Sequence, residues 1–117
     1  MVISDFYASL SSTTNVTNAT NTKVIFDTEH YDTDSAYDTS NGRFTVPSGK
    51  AGKYLISSGL WCNQTGGEGE LYLAGNYLYK NGSLFIQCQS DYNTSADDSA
   101  NNVNKSLVVI IDLSVGD

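Results

Sequence analysis

His30 is the only histidine in the 117-residue chain, so any neutral-pH chemistry that needs an imidazole must use it. An acyl-transfer triad would set it beside a Ser or Cys, with a carboxylate to orient the ring. It lies instead in a polar, acidic segment with no nucleophile-elbow pattern near it. The expectation is a surface histidine. Cys62 and Cys88 are the only two cysteines, without the close spacing of a metal site. Both fall among apolar neighbours in predicted strands, which favours buried free thiols acting as small hydrophobes. A single disulfide is the alternative. Thirteen Asp and Glu residues could include the facing pair that a glycosidase needs. Nearly all sit in predicted loops or at strand ends among Thr, Ser, Gly and Asn, where carboxylates are solvated. Asp32, Asp34 and Asp38 form the one group that could suit a hard cation. The EF-hand spacing is absent, because no Gly follows at the required place and no Glu closes the loop. Calcium at these three residues is the only cofactor left open. With no Gly-rich loop ahead of a helix, no phosphate cradle is predicted. No catalytic or cofactor-binding residue is assigned, and the chain is expected not to be an enzyme.

The elements that would carry these residues are strands. Phe44 and Val46 alternate with Arg43 and Thr45, a period of two. Pro47, the only proline, then removes a ladder donor, and Gly49 and Gly52 allow the corner. A second strand follows from Tyr54 to Cys62. Tyr54, Ile56, Leu60 and Cys62 share one side of it, Leu55 and Trp61 the other. Upstream, Asp5–Ser12 alternates Phe6, Ala8 and Leu10 against Tyr7, Ser9 and Ser11, and Lys23–Asp27 reads as a short strand. Thr28–Asn41 is a polar segment in which Tyr31 and Tyr37 are expected to bury their rings and keep their hydroxyls wet. Leu71, Leu73, Tyr77 and Tyr79 share one face of a strand in which Gly75-Asn76 hints at a bulge. A loop with Gly66-Gly67 at its tip precedes that strand. Asn81-Gly82 is the strongest hairpin signal, a type I′ turn. Leu84, Ile86 and Cys88 continue beyond it. Asp91–Lys105 reads as a polar loop and Ser106–Leu113 as the last strand. Nothing repeats at helical spacing.

Composition bounds the function. One domain over residues 1–117 is predicted, large enough for its own core. A net charge of −7 and only six basic residues exclude the Lys/Arg stripe that a phosphate backbone requires. Nucleic acid is therefore not an expected partner. No apolar run reaches the length of a membrane span, so no membrane insertion is expected. The opening residues lack the basic and apolar regions of a signal peptide. Asn-x-Ser/Thr triplets such as Asn15-Val16-Thr17 and Asn81-Gly82-Ser83 read as products of an Asn/Thr-rich chain.

Tyr37-Asp38, Gly42-Arg43-Phe44-Thr45-Val46-Pro47 and Gly52-Lys53-Tyr54-Leu55 together resemble the signature of the C1q/TNF-like domain. Phe26-Asp27 upstream, Leu78-Tyr79-Lys80-Asn81-Gly82, and Leu107–Leu113 closed by Gly116-Asp117 are similar to further pieces of it, in the same order. The resemblance implies an all-β, C1q/TNF-like jelly-roll sandwich of two antiparallel sheets that assembles as a homotrimer. In that family two more strands follow the Gly-Asp, and the last lies between the first strand and the Tyr54 strand. The resemblance thus implies that the final strands are missing from this sequence. An incomplete chain, donation by another chain and a smaller closed fold are the three outcomes.

Phe26, Phe44, Val46 and Tyr54 are expected in the core, with Phe44 fully buried. Leu107, Val109, Ile111 and Leu113 alternate with Val108 and Ile110, so the last strand is apolar on both faces and needs cover on both. Val108 and Ile110, with Leu55 or Trp61, are expected near the trimer axis. The family occurs on secreted animal proteins and on bacterial and phage surfaces. The start at Met1, the lack of a collagen-like stalk and of a signal peptide, and the polar acidic composition favour the phage side. A non-enzymatic virion surface protein is expected, made in the host cytoplasm and acting as a capsid decoration (cement) protein. The receptor-binding head of a tail fibre, or a cellular C1q-like ligand-recognition domain, is the alternative. Partners would be a capsid or fibre protein, or a cell-surface glycan or receptor.

Overall fold

The computed structural model describes residues 4–17, 19–64, 73–91 and 102–117. The Gly66-Gly67 tip, Leu71 and most of the loop read at 91–105 lie outside the described residues. Among those described there is no helix, so none is long and apolar enough to cross a membrane. The strands are β1 (Phe6–Ser9), β2 (Thr28–Asp32), β3 (Tyr37–Asp38), β4 (Arg43–Phe44), β5 (Gly52–Asn63), β6 (Leu73–Lys80), β7 (Ser83–Asp91) and β8 (Asn102–Leu113). They pair as four two-stranded sheets, β1 with β2, β3 with β4, β5 with β8 and β6 with β7, where two larger sheets were expected. The β1–β2, β3–β4 and β6–β7 pairs are antiparallel. The chain divides into two compact units, Met1–Gly52 with Asp112–Asp117, and Lys53–Ile111.

The first unit is centred on an aromatic stack. Phe6 lies parallel to Tyr37 at 4.5 Å and to Phe44 at 5.1 Å between ring centroids. Tyr37 is buried, and its hydroxyl donates to the Phe26 carbonyl at 2.9 Å. This corrects the expectation that both tyrosine hydroxyls stay wet. Tyr31 is not an anchor at all; it is exposed. Of the residues expected in the core, Val46 is 2% exposed, whereas Phe26 and Phe44 are half-buried. Phe44 is thus not fully buried, because the ring it stacks on, Phe6, is itself 37% exposed and gives it only partial cover. Val46 is held by backbone as well as by packing. Its N–H donates to the Asp117 carbonyl, and its own carbonyl accepts from Gly116, both at 3.0 Å. Gly116 has φ +86°, the left-handed conformation that turns the chain back for these bonds.

The short strand expected at Lys23–Asp27 is not one. The strand lies in the next five residues, Thr28–Asp32, where pairing with β1 supplies the partners that periodicity alone did not reveal. Asp27 instead closes the loop before it, accepting from the Ser11 N–H at 2.8 Å and the Ser11 hydroxyl at 2.6 Å. Asp38 accepts in the same way from the N–H and hydroxyl of Ser40 and from the Asn41 amide. Hydrogen bonds to these Ser side chains hold both carboxyls below their ordinary value of 3.8. A depressed folded pKa means that the stabilisation is present above 3.8 and is lost as pH falls below it. Both groups are exposed, so the effect is modest. The urea midpoint should fall below pH 3.8 and should fall less in an Asp27→Asn, Asp38→Asn protein; an unchanged acid limb in that variant would contradict the assignment.

The second unit holds the β6–β7 hairpin and most of the β5–β8 ladder. Asn81 and Gly82 turn the hairpin at φ +50° and +80°, the two positive values that a type I′ turn requires. The register runs from Leu73↔Asp91 to Lys80↔Ser83 and shifts between Leu78 and Tyr79, not at Gly75-Asn76 as expected. Gly75 has another reason: a Cβ there would sit 2.6 Å from the Tyr77 ring, which lies over it. The buried positions of β6 are the small and polar Ala74 and Asn76, while Leu73 and Tyr79 are exposed. β8 begins at Asn102, so the end of the predicted 91–105 loop is strand.

Candidate functional site

Both long strands, β5 and β8, alternate strictly. In β5, Tyr54, Ile56, Ser58, Leu60 and Cys62 are half-buried while Lys53, Leu55, Ser57, Gly59, Trp61 and Asn63 are exposed. In β8, Lys105, Leu107, Ile111 and Leu113 are buried and Val103 and Val109 half-buried, while Val108 and Ile110 face out. The period of two read from the sequence is therefore the period of burial. Tyr54, expected in the core, is half-buried on the inner side.

The outer face is mixed, with large apolar side chains set among Lys53, Ser57, Ser106 and Asp112. Leu55, Trp61 and Ile110 are each 70% exposed and Val108 is 64% exposed. Single exposed hydrophobes are ordinary, but several on one ladder make a patch that marks an interaction surface. Ser57 and Gly59 lie between Leu55 and Trp61 on the same face, and a Cβ at Gly59 would meet nothing within 4 Å. Leu55 and Trp61 thus flank a low, open strip of strand. Burying the exposed part of these four side chains corresponds to a gross gain on the order of 5 kcal/mol per chain, before the losses of association.

The inner face of the same region carries a polar clamp with no local sequence signature. Asn76, 4% exposed, donates its amide to the Ser58 hydroxyl at 3.1 Å and carbonyl at 3.2 Å, and to the Lys105 carbonyl at 3.3 Å. One side chain on β6 thereby ties both strands whose outer faces form the patch. Cys62 and Cys88 are free and half-buried.

Asp32 accepts from the Tyr37 N–H at 2.7 Å, Asp34 lies 3.6 Å from the Lys50 ammonium, and Asp38 closes its own turn. Each carboxylate has separate local work, and among the described residues no group of three His, Cys, Asp or Glu side chains gathers for a metal. His30 is exposed, with Nε2 2.8 Å from the Ser9 hydroxyl and its ring stacked on Tyr7. Among the described residues no carboxylate bonds its other nitrogen, so the Ser–His contact lacks the orienting partner of a triad. A β-bulge at this point, which the sequence reading missed, brings several rings together. Compared with family models, with curated proteins and with solved structures, the chain matches none of them.

Proposed function

We propose that the chain is a non-enzymatic structural and binding module that assembles as a homotrimer through the outer face of β5 and β8. The observation that carries this reading is the exposure of Leu55, Trp61, Val108 and Ile110 on one ladder whose opposite side is already turned inward. Large apolar side chains on the second face of a sheet call for cover there as well. The number three comes from the resemblance to C1q/TNF-like jelly rolls. So does the place on a virion surface, as a capsid decoration protein. The strand pairing is compatible with that fold: β1 and β5 fall in different sheets, and the resembled jelly roll has a further strand between them.

Ile110→Asp is the direct test, because the side chain is 70% exposed and a carboxylate there leaves the folded chain its solvent. The variant should run as a folded monomer in sedimentation velocity while the parent runs as a trimer, with Leu55→Asp behaving alike. A variant that keeps its trimer would remove the face from the interface. A monomeric parent would end the assembly reading. Co-purification with particles then separates a decoration protein from a fibre head, which binds host cells on its own.

A further inference from the structure

β1 and β2 pair Tyr7 with Tyr31 and Ala8 with Glu29, leaving His30 as an extra residue in β2. In an unbroken strand His30 and Tyr31 would take opposite faces. The bulge lets both join Tyr7 on one side of the ladder. The His30 ring stacks on Tyr7 at 4.5 Å and 19°, and Tyr31 stands 6.2 Å from Tyr7, tilted by 50°. Tyr7 and Tyr31 are each 52% exposed, whereas Phe6, the residue before Tyr7, gives its ring to the stack with Tyr37 and Phe44. The outward cluster is therefore surplus to the core. It is also fixed in place, since the Ser9 hydroxyl holds His30 Nε2 at 2.8 Å.

We propose that Tyr7, His30 and Tyr31 form a binding platform for the pyranose rings of an uncharged glycan. The C–H face of a pyranose is apolar and flat enough to lie on an aromatic ring, while its rim of hydroxyls needs donors and acceptors around that ring. The platform offers both: ring surface on Tyr7 and Tyr31, and polar edges in the tyrosine hydroxyls, the His30 imidazole and the Ser9 hydroxyl. Rigid aromatic side chains with few rotatable bonds, already stacked, lose little freedom when a ligand settles. Tyr31 stands tilted beside the Tyr7–His30 stack, and about half of each tyrosine is left exposed to receive a sugar ring. A quaternary ammonium group would call for ring faces closing on several sides. Charge complementarity narrows the class further. A chain of net charge −7 repels sialic acids, uronic acids and phosphorylated sugars, so a neutral glycan is the occupant. The site belongs to the first unit and does not depend on the assembly face of β5 and β8.

His30 supplies its own reporter, because a single histidine gives one set of imidazole proton resonances. Lactose, maltotriose, mannotriose and chitotriose, titrated into the intact protein, should include at least one that shifts these resonances, half-saturating at about 1 mM as a shallow site would. Sialyllactose should not. Tyr7→Ala and Tyr31→Ala should each weaken the binding by about tenfold, whereas Tyr7→Phe, which keeps the ring, should retain most of it. Unchanged far-ultraviolet spectra in the variants establish that they fold. Failure of all four neutral probes to move the His30 signals, equal binding of sialyllactose, or full binding by folded Tyr7→Ala would each overturn the proposal. The oligomeric state of the same samples reports separately on assembly.

Discussion

A Tyr37→Ala protein is expected to lose about 3–5 kcal/mol of folding stability in urea at neutral pH. That is a large part of what a domain of this size holds. Three losses coincide at the site. The buried ring leaves a cavity; the 4.5 Å stack with Phe6 goes, and with it the support for Phe44 behind; and the Phe26 carbonyl loses its donor. Tyr37→Phe separates the terms. It keeps ring and stack and deletes only the hydroxyl, for an expected loss of about 1 kcal/mol. The same hydroxyl makes the protein sensitive to alkali. Burial pushes the Tyr37 phenol above its ordinary 10.0, with Asp27 and Asp38 adding to the shift. A raised folded pKa favours the protonated form in the native state, so its stabilisation is complete below pH 10.0 and drains away as the pH rises through the folded value. Tyr37→Phe should therefore have a shallower alkaline decline than the parent. A Tyr37→Ala loss below about 1 kcal/mol would mean that the stack is not the centre of the first unit.

Which aromatic residue governs that unit was only half legible in the sequence. Phe44 stands in an alternating run beside Pro47, and alternation points it inward, but alternation gives direction and not depth. Depth depends on what lies across the strand, and the partner, Phe6, is distant in sequence. Tyr37 lies in a polar segment without a periodic pattern; its ring was expected to be buried, but the partner of its hydroxyl, the Phe26 carbonyl, followed from no local signal. The same physics divides the rest of the fold. β5 and β8 are twelve residues each, long enough for period two to separate the two faces, whereas the choice of Val108 and Ile110, with Leu55 or Trp61, as the outward set came from the resemblance. Asn81-Gly82 was legible because a type I′ turn constrains two adjacent residues to positive φ. β2 was not, because its five residues are polar and are made a strand by pairing with β1. The bulge at His30 depends on that pairing too, which is why the residue read as an isolated surface histidine rather than as part of a ring cluster. In β6 the face shared by Leu73, Tyr77 and Tyr79 is not the more buried one. Tyr77 and Tyr79 are amphipathic and tolerate water, so the interior took Ala74 and Asn76 from the other face.

Asn76→Leu is the substitution that would test this inversion, with an expected loss of about 2–4 kcal/mol despite the same branched shape and greater hydrophobicity. By transfer energy alone, an apolar side chain at a site 4% exposed should stabilise. The hydrogen bonds decide otherwise. The Asn76 amide is a donor to the Ser58 carbonyl and hydroxyl and to the Lys105 carbonyl, at 3.1 to 3.3 Å. Leu can donate to none of them, and each buried hydrogen bond lost costs about 1 kcal/mol or more. The loss should also have a structural readout, since Ser58 is on β5 and Lys105 on β8. With the clamp gone, amide exchange should quicken in both strands while the Asn81-Gly82 turn, which owes nothing to Asn76, keeps its protection. Because Leu55, Trp61, Val108 and Ile110 sit on the outer side of those strands, a loosened ladder should weaken self-association even though no residue of the outer face has changed. Gain of stability in Asn76→Leu, or exchange that rises uniformly through the hairpin, would show that the amide fills space and does not tie the two strands.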